Sequence, residues 1–145
     1  MGDVAVPVWS LKLPGPLVVN KSARSTSKHC WHYNPNAANL ARVSGQIRDL
    51  VVGLDGLPLD CPIRVSWEFG VQMPKLSARR SKELLGKPVT KRPDLTNYVK
   101  FYEDAANGVL WADDKVIAES KSVKIYSLDS YVEIKIEVLD GKRII

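Results

Sequence analysis

Nine consecutive residues, Ile63-Arg-Val-Ser-Trp-Glu-Phe-Gly-Val71, alternate between large apolar and other side chains without a break. In an extended strand every second side chain points the same way, so Ile63, Val65, Trp67, Phe69 and Val71 must share one face. A chain that carries such a strand has to supply a second layer to cover that face. The opposite face is left open to solvent or to a partner. Two later segments carry the same period. Residues 121–126 alternate through Val123 and Ile125, and residues 131–139 through Val132, Ile134, Ile136 and Val138. The short Leu128-Asp129-Ser130 link between them predicts a β-hairpin. Residues 4–13 have strand composition, with Val6, Val8, Leu11 and Leu13, and Pro7 argues for an edge position.

The covering layer is encoded by two segments of helical period. Asn36 stands where an N-cap is expected, and Leu40, Val43, Ile47, Leu50, Val51 and Leu54 recur on one face before Gly53 and Gly56 mark a stop. The second helix starts after Asp94, whose carboxylate can accept from the free amides of a first turn. Its stripe is Leu95, Tyr98, Val99, Tyr102, Ala106 and Val109, and Asn107-Gly108 supplies the stop. Ala112-Asp113-Asp114 reads as a turn. Residues 17–35 show no clean period and read as a long loop. Residues 72–92 are interrupted by Pro74, Gly86 and Pro88 and read as irregular. The order β, loop, α, β, basic loop, α, β-hairpin fits a two-layer α+β domain, a mixed β-sheet with two main helices on one face. The 145 residues contain no internal repeat and predict a single domain over 1–145.

Charge narrows the partners. Residues 72–92 hold Lys75, Arg79, Arg80, Lys82, Lys87, Lys91 and Arg92 against one acid, Glu83, so this stretch alone exceeds the net +5 of the whole chain. A second stretch, residues 12–32, carries Lys12, Lys21, Arg24 and Lys28 and no acid. Basic residues concentrated in this way suggest a polyanion, and nucleic acid above all. No apolar run approaches the roughly 20 residues needed to span a bilayer. Cys30 and Cys61 are too few for a disulfide framework, and the N-terminus does not read as a signal peptide. The expectation is a reduced, cytoplasmic protein. His29-Cys30-Trp31-His32 places three borderline metal ligands in four residues, but a structural zinc usually needs a fourth and Cys61 is distant. In a basic loop these side chains suit phosphate contacts and base stacking better.

Candidate chemistry is concentrated in residues 92–114. Thr96 and Lys100 are four apart and share a helical face distinct from the apolar stripe. If the second helix runs antiparallel to the chain after Gly108, the Asp113-Asp114 turn returns to the helix start beside Asp94. Hard cations such as Mg²⁺ bind through one or two carboxylates and keep several waters. Such an ion stabilises charge on a phosphodiester and activates water, and Lys100 could neutralise the phosphate or the leaving group. Each residue also has an ordinary role: Asp94 as a cap, Asp113-Asp114 as turn formers, Lys100 as a solvated surface lysine.

The pattern Arg92-Pro93-Asp94-Leu95-x-Asn97-x-x-Lys100, then Asp104-Ala105-x-Asn107-Gly108-Val109, then Trp111-x-Asp113-Asp114-x-x-Ile117 resembles the RusA family of Holliday junction resolvases. The likeness is dense over residues 91–119. Gly15-Pro16, Lys21, Ala23-Arg24 and Tyr33 resemble the family's basic N-terminal loop more loosely. The resemblance implies a small homodimeric enzyme, dependent on Mg²⁺ with Mn²⁺ as an alternative, of phage or prophage origin. It implies binding to four-way DNA junctions and symmetric nicking of two strands. Asp94, Lys100 and Asp114 match the family's catalytic positions, with Asp113 the neighbouring acid and Asp94, Asp113, Asp114 and Thr96 as metal ligands. Thr96 stands where the family has a second acid, and its neutral oxygen adds no charge. Lys21, Arg24, Lys28, Lys75, Arg79, Arg80, Lys82, Lys91 and Arg92 would hold the junction arms through phosphates. Three readings stay open at this stage: a junction-resolving endonuclease, a non-catalytic nucleic-acid-binding relative suggested by Thr96, and an unrelated α+β scaffold.

Overall fold

The computed structural model describes residues 8–19, 24–26, 31–33 and 36–139, the two short stretches as backbone. Four strands form one sheet: β1 (Val8–Pro14), β4 (Ile63–Gln72), β5 (Ile117–Ser127) and β6 (Tyr131–Val138). Their order is β1-β6-β4-β5. β6 runs antiparallel to both β1 and β4, and β5 runs parallel to β4, so the sheet is mixed. β2 (Arg24–Thr26) and β3 (Trp31–Tyr33) make a small separate antiparallel pair. Three helices complete the fold: α1 (Ala37–Leu50), α2 (Ala78–Leu84) and α3 (Leu95–Ala106).

The strict alternation of β4 fixes the register of the whole sheet. Val65 pairs with Ile136, Trp67 with Ile134 and Phe69 with Val132. Leu11 and Leu13 continue those rows onto β1. All of these side chains are buried, and Val43 and Ile47 of α1 close over them with Tyr98, Phe101, Tyr102, Ala105 and Ala106 of α3. A slip of one residue would turn the entire set outward, so one buried face determines the register. The opposite face is polar. There Arg64 Nε and Nη1 donate to Glu119 (2.6 Å) and Glu137 (3.0 Å). The Tyr131 ring lies across Gly70 where a Cβ would otherwise stand, its hydroxyl donating to Glu68 (2.7 Å) and the Lys12 ammonium 4.3 Å from its centre.

The two-layer α+β architecture matches the sequence reading, and four local expectations need correction. The predicted hairpin between the last two strands is absent: β4 lies between β5 and β6. Two strand spacings amount to about 9–10 Å, and three extended residues at about 3.3–3.6 Å each cover that distance. A short link therefore does not require its strands to pair, and β4, whose inner face is buried and apolar from Ile63 to Phe69, takes the centre. The long loop contains the β2–β3 pair. The segment read as irregular contains α2, which starts where the Ser77 hydroxyl accepts from the Arg80 N–H (3.3 Å). Pro74 and Gly86 bracket this helix rather than interrupt it. On α1, Leu50 and Leu54 stay exposed, because the helix ends at Leu50 and Gly53, at φ +85°, breaks the helical phase before Leu54.

Candidate active site

The candidate site is built on α3. Its apolar residues face the sheet and α1, which leaves Thr96, Asn97, Lys100 and Asp104 exposed along the other side. Spacings of three and four residues place Asn97, Lys100 and Asp104 in one row. Asp94 occupies the N-cap with extended backbone, its carbonyl accepting from the Asn97 (3.1 Å) and Tyr98 (3.4 Å) N–H groups. Its side chain makes no capping hydrogen bond. The capping role open to Asp94 from sequence is therefore not taken up, and the exposed Asp94 lines a cleft of about 400 Å³ together with Pro88, Val89, Leu95, Val123, Lys124 and Ile125.

The other candidate carboxylates lie after α3. Gly108, at φ +80°, turns the chain, and its N–H donates to the Trp111 carbonyl (2.7 Å). Trp111 is fully buried against Trp67, the two rings edge-on. Its indole N–H donates to Asp114 Oδ1 at 2.7 Å, a short, charge-assisted bond that fixes one carboxylate oxygen and leaves the other available. Asp113 accepts from the Lys115 N–H (3.1 Å) and caps a single 3₁₀ turn.

Electrostatics locate Asp114 along the helix. The Glu103 carboxyl is pushed up by burial, then by Asp114 and Asp104. The Asp104 carboxyl is pushed up by burial and by Asp114, with Lys100 pulling it back. Asp114 thus lies within electrostatic reach of Glu103 and Asp104 near the end of α3, and Asp104 within reach of Lys100. Among the described residues, no group of three or more His, Cys, Asp and Glu side chains is gathered so as to hold a metal ion.

Lys75, Arg79, Arg80, Lys82, Lys91 and Arg92 are all exposed, on α2 and the segments flanking it. Among the described residues, only Arg79 of these has an acidic partner near, Glu83 at 3.7 Å, and both are largely exposed. Lys21, Lys28 and the side chain of Arg24 lie outside the described residues, as do His29, Cys30 and the side chains of Trp31 and His32. Three residues of the site were not singled out as functional by sequence reasoning. Asp104, four residues after Lys100, was present in the motif but given no role. Trp111 likewise stands in the motif without a role. Lys124 lies far along the chain and carries no local signal.

The fold is a two-layer α+β domain with exposed carboxylates and a lysine on and before α3 and exposed basic residues on and around α2. The chain belongs to the RusA family: the family model described as endodeoxyribonuclease RusA matches residues 14–137. The chain is also 30% identical, over 97 residues, to the uncharacterized protein YqaN of Bacillus subtilis (strain 168), covering 67% of this chain and 68% of that protein. No helix among the described residues is long and apolar enough to cross a membrane.

Proposed function

We propose that this protein is a Mg²⁺-dependent endonuclease that resolves four-way DNA junctions by paired symmetric nicks, acting as a homodimer. The observation that carries the reading is the set of exposed groups at the start of α3 and along it, Asp94, Lys100 and Asp104, with Asp114 fixed by Trp111 and within electrostatic reach of Asp104. Asp114 stands near two like charges, Glu103 and Asp104, whose carboxyls are pushed up first by burial and then by that neighbour. A divalent ion relieves that repulsion. A Mg²⁺ ion would be held by one or two carboxylates and keep several waters: Asp114 with Asp104 near the end of α3, or Asp94 at its start. They do not form a three-carboxylate cage. When bound, the ion supplies stabilisation of charge developing on the phosphodiester.

The chain's own groups divide the remaining work. Lys100 neutralises the phosphate or the leaving oxygen. Trp111 orients Asp114. Asp113, engaged in its cap, supports the turn and adds local negative charge. The exposed Lys75, Arg79, Arg80, Lys82, Lys91 and Arg92 hold the junction arms by phosphate contacts, which give affinity without sequence reading. A two-fold dimer sets two such sites against two equivalent strands. One observation favours a second reading, a junction binder with weakened catalysis: Thr96 puts a neutral oxygen where an acid would strengthen metal binding. The test is incubation with a synthetic four-way junction in Mg²⁺, Mn²⁺ or EDTA. The nuclease reading expects symmetric, metal-dependent nicks that vanish in Asp94→Asn. Retention of the junction without nicking in either metal would overturn it in favour of the binder, and equal affinity for plain duplex would remove the junction from both readings.

A further inference from the structure

The segment that delivers Asp94 to the start of α3 is held from β5, and one residue does most of the holding. Up to Val89 the attachment is through backbone. Gly86 N–H donates to the Tyr126 carbonyl (2.9 Å), Tyr126 N–H to the Lys87 carbonyl (3.0 Å), and Val89 N–H to the Lys124 carbonyl (2.9 Å). Beyond Val89 that ladder ends. Among the described residues, the only hydrogen bonds that reach residues 90–93 come from the Lys124 side chain. Its ammonium donates to the Lys91 carbonyl at 2.7 Å and to the Pro93 carbonyl at 2.9 Å. Pro93 has no N–H, so its carbonyl is the one backbone hydrogen-bonding group by which that residue can be anchored. Lys124 therefore grips the same segment twice, by its own carbonyl and by its charged tip, and it lines the same cleft as Asp94.

We propose that Lys124 is a positioning residue for Asp94, its ammonium fixing residues 91–93 and so setting where the Asp94 carboxylate stands relative to Lys100. This rests on the reading of Asp94 as a carboxylate of the reacting site. The Asp94 side chain has no capping bond to steady it, so its placement comes from its backbone. That backbone is fixed on one side by α3, through the Asn97 and Tyr98 amides, and on the other by Lys124. Hydrogen bonds from an ionised donor are about twice as strong as neutral ones. The Lys91 contact is exposed, so water can replace it at little cost in stability. What water cannot supply is the fixed position, and the two contributions are therefore separable.

Lys124→Met keeps the aliphatic stem and removes the donors, and Lys124→Arg keeps charge and donors. Three measurements on the full chain decide the matter: single-junction nicking kinetics, junction binding in EDTA, and hydrogen exchange of the free protein. Turnover in Lys124→Met should fall roughly 10–100-fold, the range typical of lost supporting contacts, with KM for the junction and binding in EDTA unchanged. Exchange at the Asn97 and Tyr98 amides should rise while β4 and β6 keep their protection, and Lys124→Arg should recover most of both losses. Unchanged exchange over residues 94–98 in Lys124→Met would overturn the proposal, and so would a loss of protection spread equally over β4 and β6. If the unaltered protein does not nick junctions, the nuclease reading fails, and the exchange comparison alone decides whether Lys124 anchors the segment.

Discussion

The hydrogen bond from Trp111 to Asp114 can be weighed by a double-mutant cycle. Trp111→Phe removes the indole N–H and retains an aromatic ring in the buried site; Asp114→Ala removes the acceptor. The bond is 2.7 Å long, its donor is fully buried and its acceptor half-buried. A bond to an ionised partner contributes about 1.5–3 kcal/mol, and partial exposure of the carboxylate places this one toward the lower end, about 2 kcal/mol. Each single variant carries other effects. The phenylalanine leaves unfilled space beside Trp67, and removing Asp114 relieves Glu103 and Asp104 of a neighbouring charge. Those effects recur in the double variant and cancel, so the coupling isolates the bond. Urea denaturation of all four proteins at pH 7 gives the number. A coupling near 2 kcal/mol, together with a nicking rate in Trp111→Phe lowered roughly 10–100-fold and unaltered junction binding in EDTA, supports the bond as the device that orients Asp114. A coupling below about 0.5 kcal/mol, the usual noise of such cycles, would refute the reasoning.

Three further outcomes follow from the same structure. Asp104→Asn should be more stable than the parent at pH 7. The folded state holds the parent carboxyl above its ordinary value of 3.8, so ionising it costs stability as pH rises; the difference should shrink on acidification and close near that value in urea melts across pH. Gly70→Ala should lose about 1–3 kcal/mol in the same assay, because the new Cβ displaces the Tyr131 ring from a packed face, while junction affinity stays unchanged. Lys82→Ala should weaken junction binding and reduce the slope of log affinity against log salt by about 0.9 if Lys82 meets a phosphate; a slope equal to the parent's would take Lys82 out of the binding surface.

What the sequence makes legible depends on the range of the interaction behind it. β4 is plain because strand alternation is local and the burial of Val65, Trp67 and Phe69 agrees with it. α3 is plain in position, but its buried arc is wider than the apolar stripe suggests: Phe101 and Ala105 are buried too, since the helix touches both the sheet and α1. α2 is hidden by the proline and glycine on either side of it, although Ser77 signals its start. Strand order is the least legible feature, because whether residues 128–130 turn a hairpin or pass the end of β4 depends on which strand is apolar enough to sit between. The site divides in the same way. Asp94, Lys100, Asp113 and Asp114 are visible as a spaced motif, but the placement of Asp114 at the far end of α3 depends on the turn at Gly108 and on one indole N–H. The grip of Lys124 on Lys91 and Pro93 joins parts of the chain with no shared local pattern.

The placement of β4 between two strands that adjoin in sequence also bears on the route by which the sheet assembles. β5 has no ladder to form with β6 and pairs only with β4, so it gains no ordered partner until β4 is in place. β1 then waits for β6, and their pairing, which joins Val8 to Glu137, spans almost the whole chain. Contacts so distant in sequence incur loop-closure entropy before they return any stability, and domains dominated by them fold slowly. During that wait the outer edge of β6 has its N–H and C=O groups unpaired and half its side chains apolar, a ready template for a strand from another chain. The same topology that lets a three-residue link pass the end of β4 makes this domain depend on β1 arriving before a neighbouring molecule does.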